Sequence, residues 1–337
     1  MAMQPNDAPG VLMARESAEA ADVFARTAGR DVAADVLEAL DTTPDAIYTF
    51  ARGSSDAAAN ILSYEFMREL RIPVTSLPPS VFSLGAGAAL GRAMALVISQ
   101  SGASEDLVRA ARGVRGQGTP VLSITNATGA PVAEVARLNL PIGAGPEHAV
   151  PATKTVVGSI AAGLGLLAAL HPTYRERLDG SLGPFSRAEP LDTSDRLKST
   201  LLRARNVFVV GRDTGYGAAQ EVALKLKECC ALHAEAYSAS EVLHGPLQLA
   251  TNPLAVLILD TGTAEVQDSL DKAEARFREA GCAVERVTAG PEAQNLVPAA
   301  AAAMLLVRLY PVVLEVALAL GFDPDRPETL SKVTQTV

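Results

Sequence analysis

At 337 residues, with 48% hydrophobic and 20% charged residues, the sequence describes a soluble globular protein with room for two cores. Its net charge of -9 argues against nucleic acid or an acidic membrane surface as the main partner, although local backbone N–H groups can still hold a small anion. The three cysteines, adjacent Cys229 and Cys230 and distant Cys282, have neither disulfide-framework nor zinc-ligand spacing, so no metal or cofactor is expected.

In chain order, residues 18–40 carry apolar side chains at helical spacing and lead into a first domain. Ile47–Phe50 reads as a short strand ending at Gly53, and Ser55 or Asp56 is placed to cap the helix that follows, to about Glu69. Strands follow at 72–75, 94–98, 121–125 and 138–142, with an amphipathic helix over 105–115 and a long apolar helix over 153–170. Pro172–Ser194 is polar and proline-bearing, and reads as an inter-domain linker. Strands at 207–210, 255–259 and 283–287 then alternate with helices at 218–232 and 265–280. An apolar helical stretch at 299–320 is expected to kink or split at Pro311. The tail, 322–337, has no clear element. Met1–Gly10 has no secretory pattern, and the apolar runs 156–170 and 297–307 are short of a bilayer span, so a cytoplasmic protein without a membrane partner is expected.

Strands alternating with helices imply α/β architecture with parallel sheets covered on both faces. The pattern also occurs twice. Arg52-Gly53 after the first strand is matched by Arg212-Asp213, and Ser101-Gly102 by Thr261-Gly262, at the same offset. The first copy keeps hydroxyls and an amide that the second has largely lost.

Ser99-Gln100-Ser101-Gly102-Ala103-Ser104 lies where a strand ends and a helix begins, which is where open α/β sheets bind ligands. Its hydroxyls, its amide and a helix N-terminus suit a phosphate; the plainer reading is a serine-capped turn. Arg52 to Ser55 closes the neighbouring turn. Glu221, Lys225 and Glu228 share one helix face, either as a proton-transfer stripe or as a solvated ion-paired face. His244, before Gly245-Pro246, sits on a loop, as an acid–base group or simply exposed. His148 and His233 are weaker candidates, and His171 reads as surface.

The Ser99-Gln100-Ser101-Gly102 run, Thr153-Lys154, the block Ala223-Leu224-Lys225-Leu226-Lys227-Glu228, His233 to Tyr237, Glu241 with His244-Gly245-Pro246, and Leu330 to Thr334 resemble the sugar-isomerase (SIS) domain family. They are most similar to the isomerase half of glutamine–fructose-6-phosphate aminotransferases and to stand-alone glucosamine-6-phosphate deaminases; residues 77–83 look more like the latter. The resemblance implies two tandem SIS domains, each a five-stranded parallel sheet between helices, over 41–175 and 196–325. The helical lead-in (1–40), a linker (176–195) and an active-site tail (326–337) complete the chain. It implies Ser99, Gln100, Ser101 and Ser104 on a sugar phosphate with Ser54 nearby, and Val150 lining the site. It further implies Glu228 moving a proton between C1 and C2, Lys225 positioning the substrate and Lys332 meeting the open-chain carbonyl. His244 would be contributed by the neighbouring subunit of a homodimer. The synthase pattern has a serine where this sequence has Ala152, and its glutaminase domain is not expected here.

The expected activity is therefore isomerising deamination of glucosamine 6-phosphate to fructose 6-phosphate and ammonia. The alternatives are a deglycase or isomerase for another phosphorylated amino sugar, and a sugar-phosphate-binding regulator without catalysis, which would need the Ser99 loop but not Glu228, His244 and Lys332.

Overall fold

The computed structural model describes residues 8–332 apart from 41, 190, 192 and 193. The lead-in opens with α1 (Val11–Ala18), and the single stretch expected over 18–40 is two helices, α2 (Ala20–Ala28) and α3 (Ala33–Ala39). The break falls at Gly29-Arg30-Asp31, where the Asp31 carboxylate accepts the Ala33 N–H at 3.0 Å and restarts the helix.

The first unit runs β1 (Ala46–Phe50), α4 (Ser54–Leu70), β2 (Val74–Ser76), α5 (Ser80–Ser83), β3 (Ala93–Ser99), α6 (Glu105–Gly116), β4 (Val121–Thr125), α7 (Pro131–Val135), β5 (Leu138–Pro141) and α8 (Lys154–Leu170). Its five strands are all parallel, in the order β2-β1-β3-β4-β5. β3 is buried along its whole length, as a central parallel strand covered on both faces must be.

The segment read as a linker is folded over residues 174–185. It forms α9 (Tyr174–Gly180) and α10 (Leu182–Phe185), and Phe185 stacks on Phe24 with ring centroids 3.7 Å apart. After α11 (Ser194–Arg203) the second unit runs β6 (Asn206–Gly211), α12 (Thr214–Cys230), β7 (His233–Ser238), β8 (Ala255–Asp260), α13 (Gln267–Glu279), β9 (Ala283–Thr288) and α14 (Pro298–Ala319). Its parallel sheet has the order β7-β6-β8-β9. Among the described residues this sheet has four strands, not the five expected. After β9 the chain makes a 3₁₀ turn at 293–295 and enters α14 with Pro298 in the first turn, so nothing corresponds to β5.

The duplication is visible in the backbone. Gly53 and Asp213, which precede α4 and α12, have φ/ψ of 52/-128° and 57/-134°. Arg71 and Ala231, which end those helices, are both left-handed, and Gly102 and Gly262 both have positive φ. α4 packs against α12 between the two sheets, and a Cβ at Gly217 would lie 2.8 Å from the Ile61 backbone nitrogen, so only glycine permits that approach. α14 is long and apolar enough to span a bilayer, but 72% of its most apolar window is buried in the protein. It continues unbroken through Pro311, on its exposed side, rather than splitting.

Glu65 of α4 is fully buried where the two units meet. It accepts from the Tyr174 hydroxyl at 2.8 Å, the Ala299 N–H at 3.1 Å and Arg68 at 3.1 Å, and Arg68 also pairs with Asp213. Burial pushes its carboxyl up to about 7, against the lowering effect of these donors. Arg68 and the Ala299 N–H can only donate, so an amide must keep its oxygen toward them, and the Tyr174 hydroxyl must turn to accept from the NH₂. Glu65→Gln is expected to lower stability by about 1 kcal/mol. The folded state holds a proton on Glu65 between pH 4.5 and about 7 that the unfolded chain releases. The parent therefore loses stability from this group as pH rises through that window, and the variant does not. Urea melts should show the deficit of the variant largest near pH 5 and smaller by pH 8.

Candidate active site

One cleft gathers most of the residues singled out in the sequence. Arg52, Ser54, Ser99, Gln100, Ser101, Ser104, Val150, Ala152, Glu228, Ser331 and Lys332 line a cavity of about 370 Å³. It lies at the C-terminal ends of β1 and β3, between the first sheet, the end of α12 and the tail.

The floor is the turn from β3 to α6. Ser99 Oγ accepts the Gly102 N–H at 3.1 Å and Ser101 Oγ accepts the Ala103 N–H at 3.3 Å, which leaves both hydroxyl hydrogens to donate elsewhere. The Gln100 and Gly102 carbonyls accept from Asn126, Ala127 and Val132 behind the turn. Ser104 is the residue before α6 but its side chain makes no capping bond, contrary to the plainer reading of this turn. The acidic residues that open α6 are already paired: Asp106 binds Arg52 through Nε at 3.0 Å and Nη2 at 2.9 Å, and Glu105 pairs with Arg109. The N-terminal end of α6 and the guanidinium at the rim therefore present positive potential to an anion. On the other turn, neither Ser55 nor Asp56 caps α4; the helix starts at Ser54 after Gly53, without a side-chain cap.

Gly102 (φ 59°) fixes this shape. A Cβ there would stand 2.6 Å from the Ala130 Cβ, besides the strain of a left-handed backbone. Gly102→Ala is expected to leave the protein folded but to weaken sugar-phosphate binding by roughly tenfold or more, a loss of about 1.4 kcal/mol for each factor of ten. Calorimetric titration would show it.

The wall opposite is α12. Lys225 is buried; its ammonium donates to Ser54 Oγ at 3.0 Å, pairs with Glu228 and lies 3.5 Å from Glu221. Glu221 is fully buried and accepts from the Tyr310 hydroxyl at 3.2 Å. Burial pushes its carboxyl up to about 7, although Lys225 pulls the other way. Burial alone would lower the Lys225 ammonium, but the Glu221 and Glu228 carboxylates more than offset it and hold it charged. Of the stripe, only Glu228 reaches the cleft. The solvated-face alternative fails for Glu221 and Lys225 because both are buried.

His244 is not brought to the cleft within one chain; it is exposed, after the 3₁₀ turn Glu241–Leu243. His148 and His233 are exposed and His171 is half-buried 3.6 Å from Glu69; none lines the cleft. Nor does any cysteine: Cys229 and Cys230 are buried, and burial pushes the Cys229 thiol up to about 12. The second unit differs at the matching turn. Where Gln100 stands in the first, Asp260 stands in the second. Its carboxylate accepts from the Gly262 N–H at 2.8 Å, from Gln267 at 2.8 Å and from Arg286 at 3.0 Å, so a protein carboxylate occupies the turn.

The SIS domain model matches residues 42–169 and 200–291, which covers most of both units. The chain belongs to the SIS-domain family. Over 299 residues it is 31% identical to a glutamine–fructose-6-phosphate aminotransferase of Methanothermobacter thermautotrophicus, covering 84% of this chain and 50% of that protein. It spans about half the length of the curated relatives it matches. A solved structure from Silicibacter pomeroyi DSS-3, provisionally named a phosphosugar isomerase, is 32% identical with a TM-score of 0.80, covering 93% of this chain and 99% of that one. The glucosamine-6-phosphate deaminase of Thermotoga maritima shares the fold, with a TM-score of 0.77 at 20% identity over 96% of this chain and 100% of that one.

In this SIS protein the sequence signals missed two buried carboxylates beside the cleft. Glu147 lies in an irregular loop and Glu16 on α1, and neither belongs to a periodic pattern. Their partners are mostly backbone N–H groups, which no side-chain spacing reveals.

Proposed function

We propose that this SIS protein is an aldose–ketose isomerase acting on an amino-sugar phosphate, specifically an isomerising glucosamine-6-phosphate deaminase. The observation that carries the reading is that the hydroxyl-lined turn at Ser99–Ser104 and the Glu228 carboxylate face one cleft. The turn binds the phosphate through Ser99, Gln100, Ser101 and Ser104, which places the other end of an open-chain hexose toward α12. Glu228 takes the C2 proton of the aldehyde form, and the electrons pass through an enediol-like enolamine. Glu228 returns the proton to C1, giving the 2-imine of fructose 6-phosphate. Water adds to that imine and ammonia leaves. A carboxylate that alternates between base and acid suffices for the transfer.

Lys225 pairs with Glu228 and holds Ser54 in place. Lys332 meets the carbonyl end, and Val150 bounds the sugar. Ring opening falls to His244 of a second subunit in a homodimer. Ala152 offers a methyl group where the synthase pattern has a hydroxyl, which alters the sugar contacts but not the phosphate turn. A regulator that only binds would have no need of a carboxylate in the cleft held by a buried ammonium.

Ammonia release measured against a panel of hexosamine 6-phosphates tests the reading. Glucosamine 6-phosphate should give stoichiometric ammonia and fructose 6-phosphate. Binding without ammonia release or ketose formation from any member of the panel would overturn it.

A further inference from the structure

Residues 143–153 carry Val150 and Ala152 to the cleft yet form no helix or strand. Carboxylates hold this loop. Glu16 on α1 accepts the N–H groups of His148 at 2.5 Å and Ala149 at 3.2 Å. The Glu147 side chain is wholly buried and divides its two oxygens between different tasks. Oε1 accepts the N–H groups of Thr153 at 3.0 Å and Thr155 at 3.2 Å. Oε2 accepts the Thr155 hydroxyl at 2.6 Å and faces the Lys332 ammonium at 3.3 Å. Lys332 also donates to the Ala149 carbonyl at 2.7 Å. Further back, the tail is pinned to the start of α1, where Asp325 accepts the N–H groups of Leu12 and Met13, both at 2.8 Å. The tail thus runs from α1 to the loop and sets its ammonium against the loop.

The loop alone does not require a charge at residue 147. An amide oxygen at the Oε1 position would satisfy Thr153 and Thr155 equally, and the threonine hydroxyl can turn to accept from an NH₂. The ammonium cannot turn: it only donates, so it needs the second carboxylate oxygen. We propose that Glu147 is a positioning residue, which fixes the Lys332 ammonium on the cleft wall with one oxygen while the other keeps the loop folded. This rests on the cleft being the phosphosugar site argued above.

Glu147→Gln separates the two tasks. The variant should fold, bind inorganic phosphate as the parent does, and turn over hexosamine 6-phosphate about tenfold more slowly. In a Lys332→Met background the same change should have no further effect, because its route of action is already gone. An additive loss in the double variant, or unchanged turnover in Glu147→Gln, would overturn the proposal. A readout without turnover is the acetylation rate of Lys332 by acetic anhydride, followed by mass spectrometry. In the parent it should be slower than at exposed Lys272, and it should rise several-fold in Glu147→Gln. Equal rates at the two lysines of the parent would overturn the proposal even if the variant failed to fold. A parent that turned over no phosphosugar would remove the functional reading, while the labelling would still decide where Lys332 is held.

Discussion

Glu228→Gln is expected to bind glucosamine 6-phosphate with the affinity of the parent and to release ammonia roughly 10²–10⁴ times more slowly, the range associated with losing a positioned acid–base group. The amide keeps an oxygen toward Lys225, so the buried ammonium retains a partner and the cleft keeps its shape. What the amide lacks is the basicity to take a proton from carbon. Exchange of the C2 hydrogen with solvent deuterium, followed by NMR, separates this step from ring opening and imine hydrolysis. Exchange at the parental rate in the variant would assign the base elsewhere.

Lys225→Met should have the largest effect on the fold itself. The ammonium is the cation beside Glu221, and Glu221 Oε2 is buried with no hydrogen-bond partner among the described residues. Taking away one member of a buried ion pair commonly costs about 3–5 kcal/mol, because the other charge is left without compensation. The sign of the pH dependence follows from Glu221. Its folded-state carboxyl, already near 7, moves further above the ordinary 4.5 once Lys225 is gone. Between those values the folded state holds a proton that the unfolded chain releases, so stability falls as pH rises through the window. The deficit relative to the parent should therefore be small near pH 5 and largest near pH 8, by urea melts. Adding Glu221→Leu should recover much of the loss at pH 8; no recovery would show that packing, not charge, is responsible.

Much of the architecture was legible because it rests on signals that sequence carries well. Buried parallel strands such as β3 and β8 read as apolar runs, and the positive-φ turns recur at the same offset. β7 escaped the pattern because His233-Ala234-Glu235-Ala236-Tyr237-Ser238 is an edge strand with one fully buried residue and no β-branched run. The fifth strand expected of the second sheet came from the family resemblance, not from the residues after β9. In the cleft, the serine turn and the α12 stripe were visible from spacing. Which stripe residues are buried was not visible, because α12 is apolar on more than one side: it packs against α4, α14 and its own sheet. Glu147 and Glu16 were invisible for another reason, since their partners come from loop backbone that only tertiary structure brings near.

The Asp260 carboxylate in the second turn has a bearing on stoichiometry. With that socket plugged from within, each polypeptide should saturate with a single equivalent of phosphosugar, along a simple hyperbola. Any sigmoidal response would then have to originate between polypeptides, not from communication between the two halves of one.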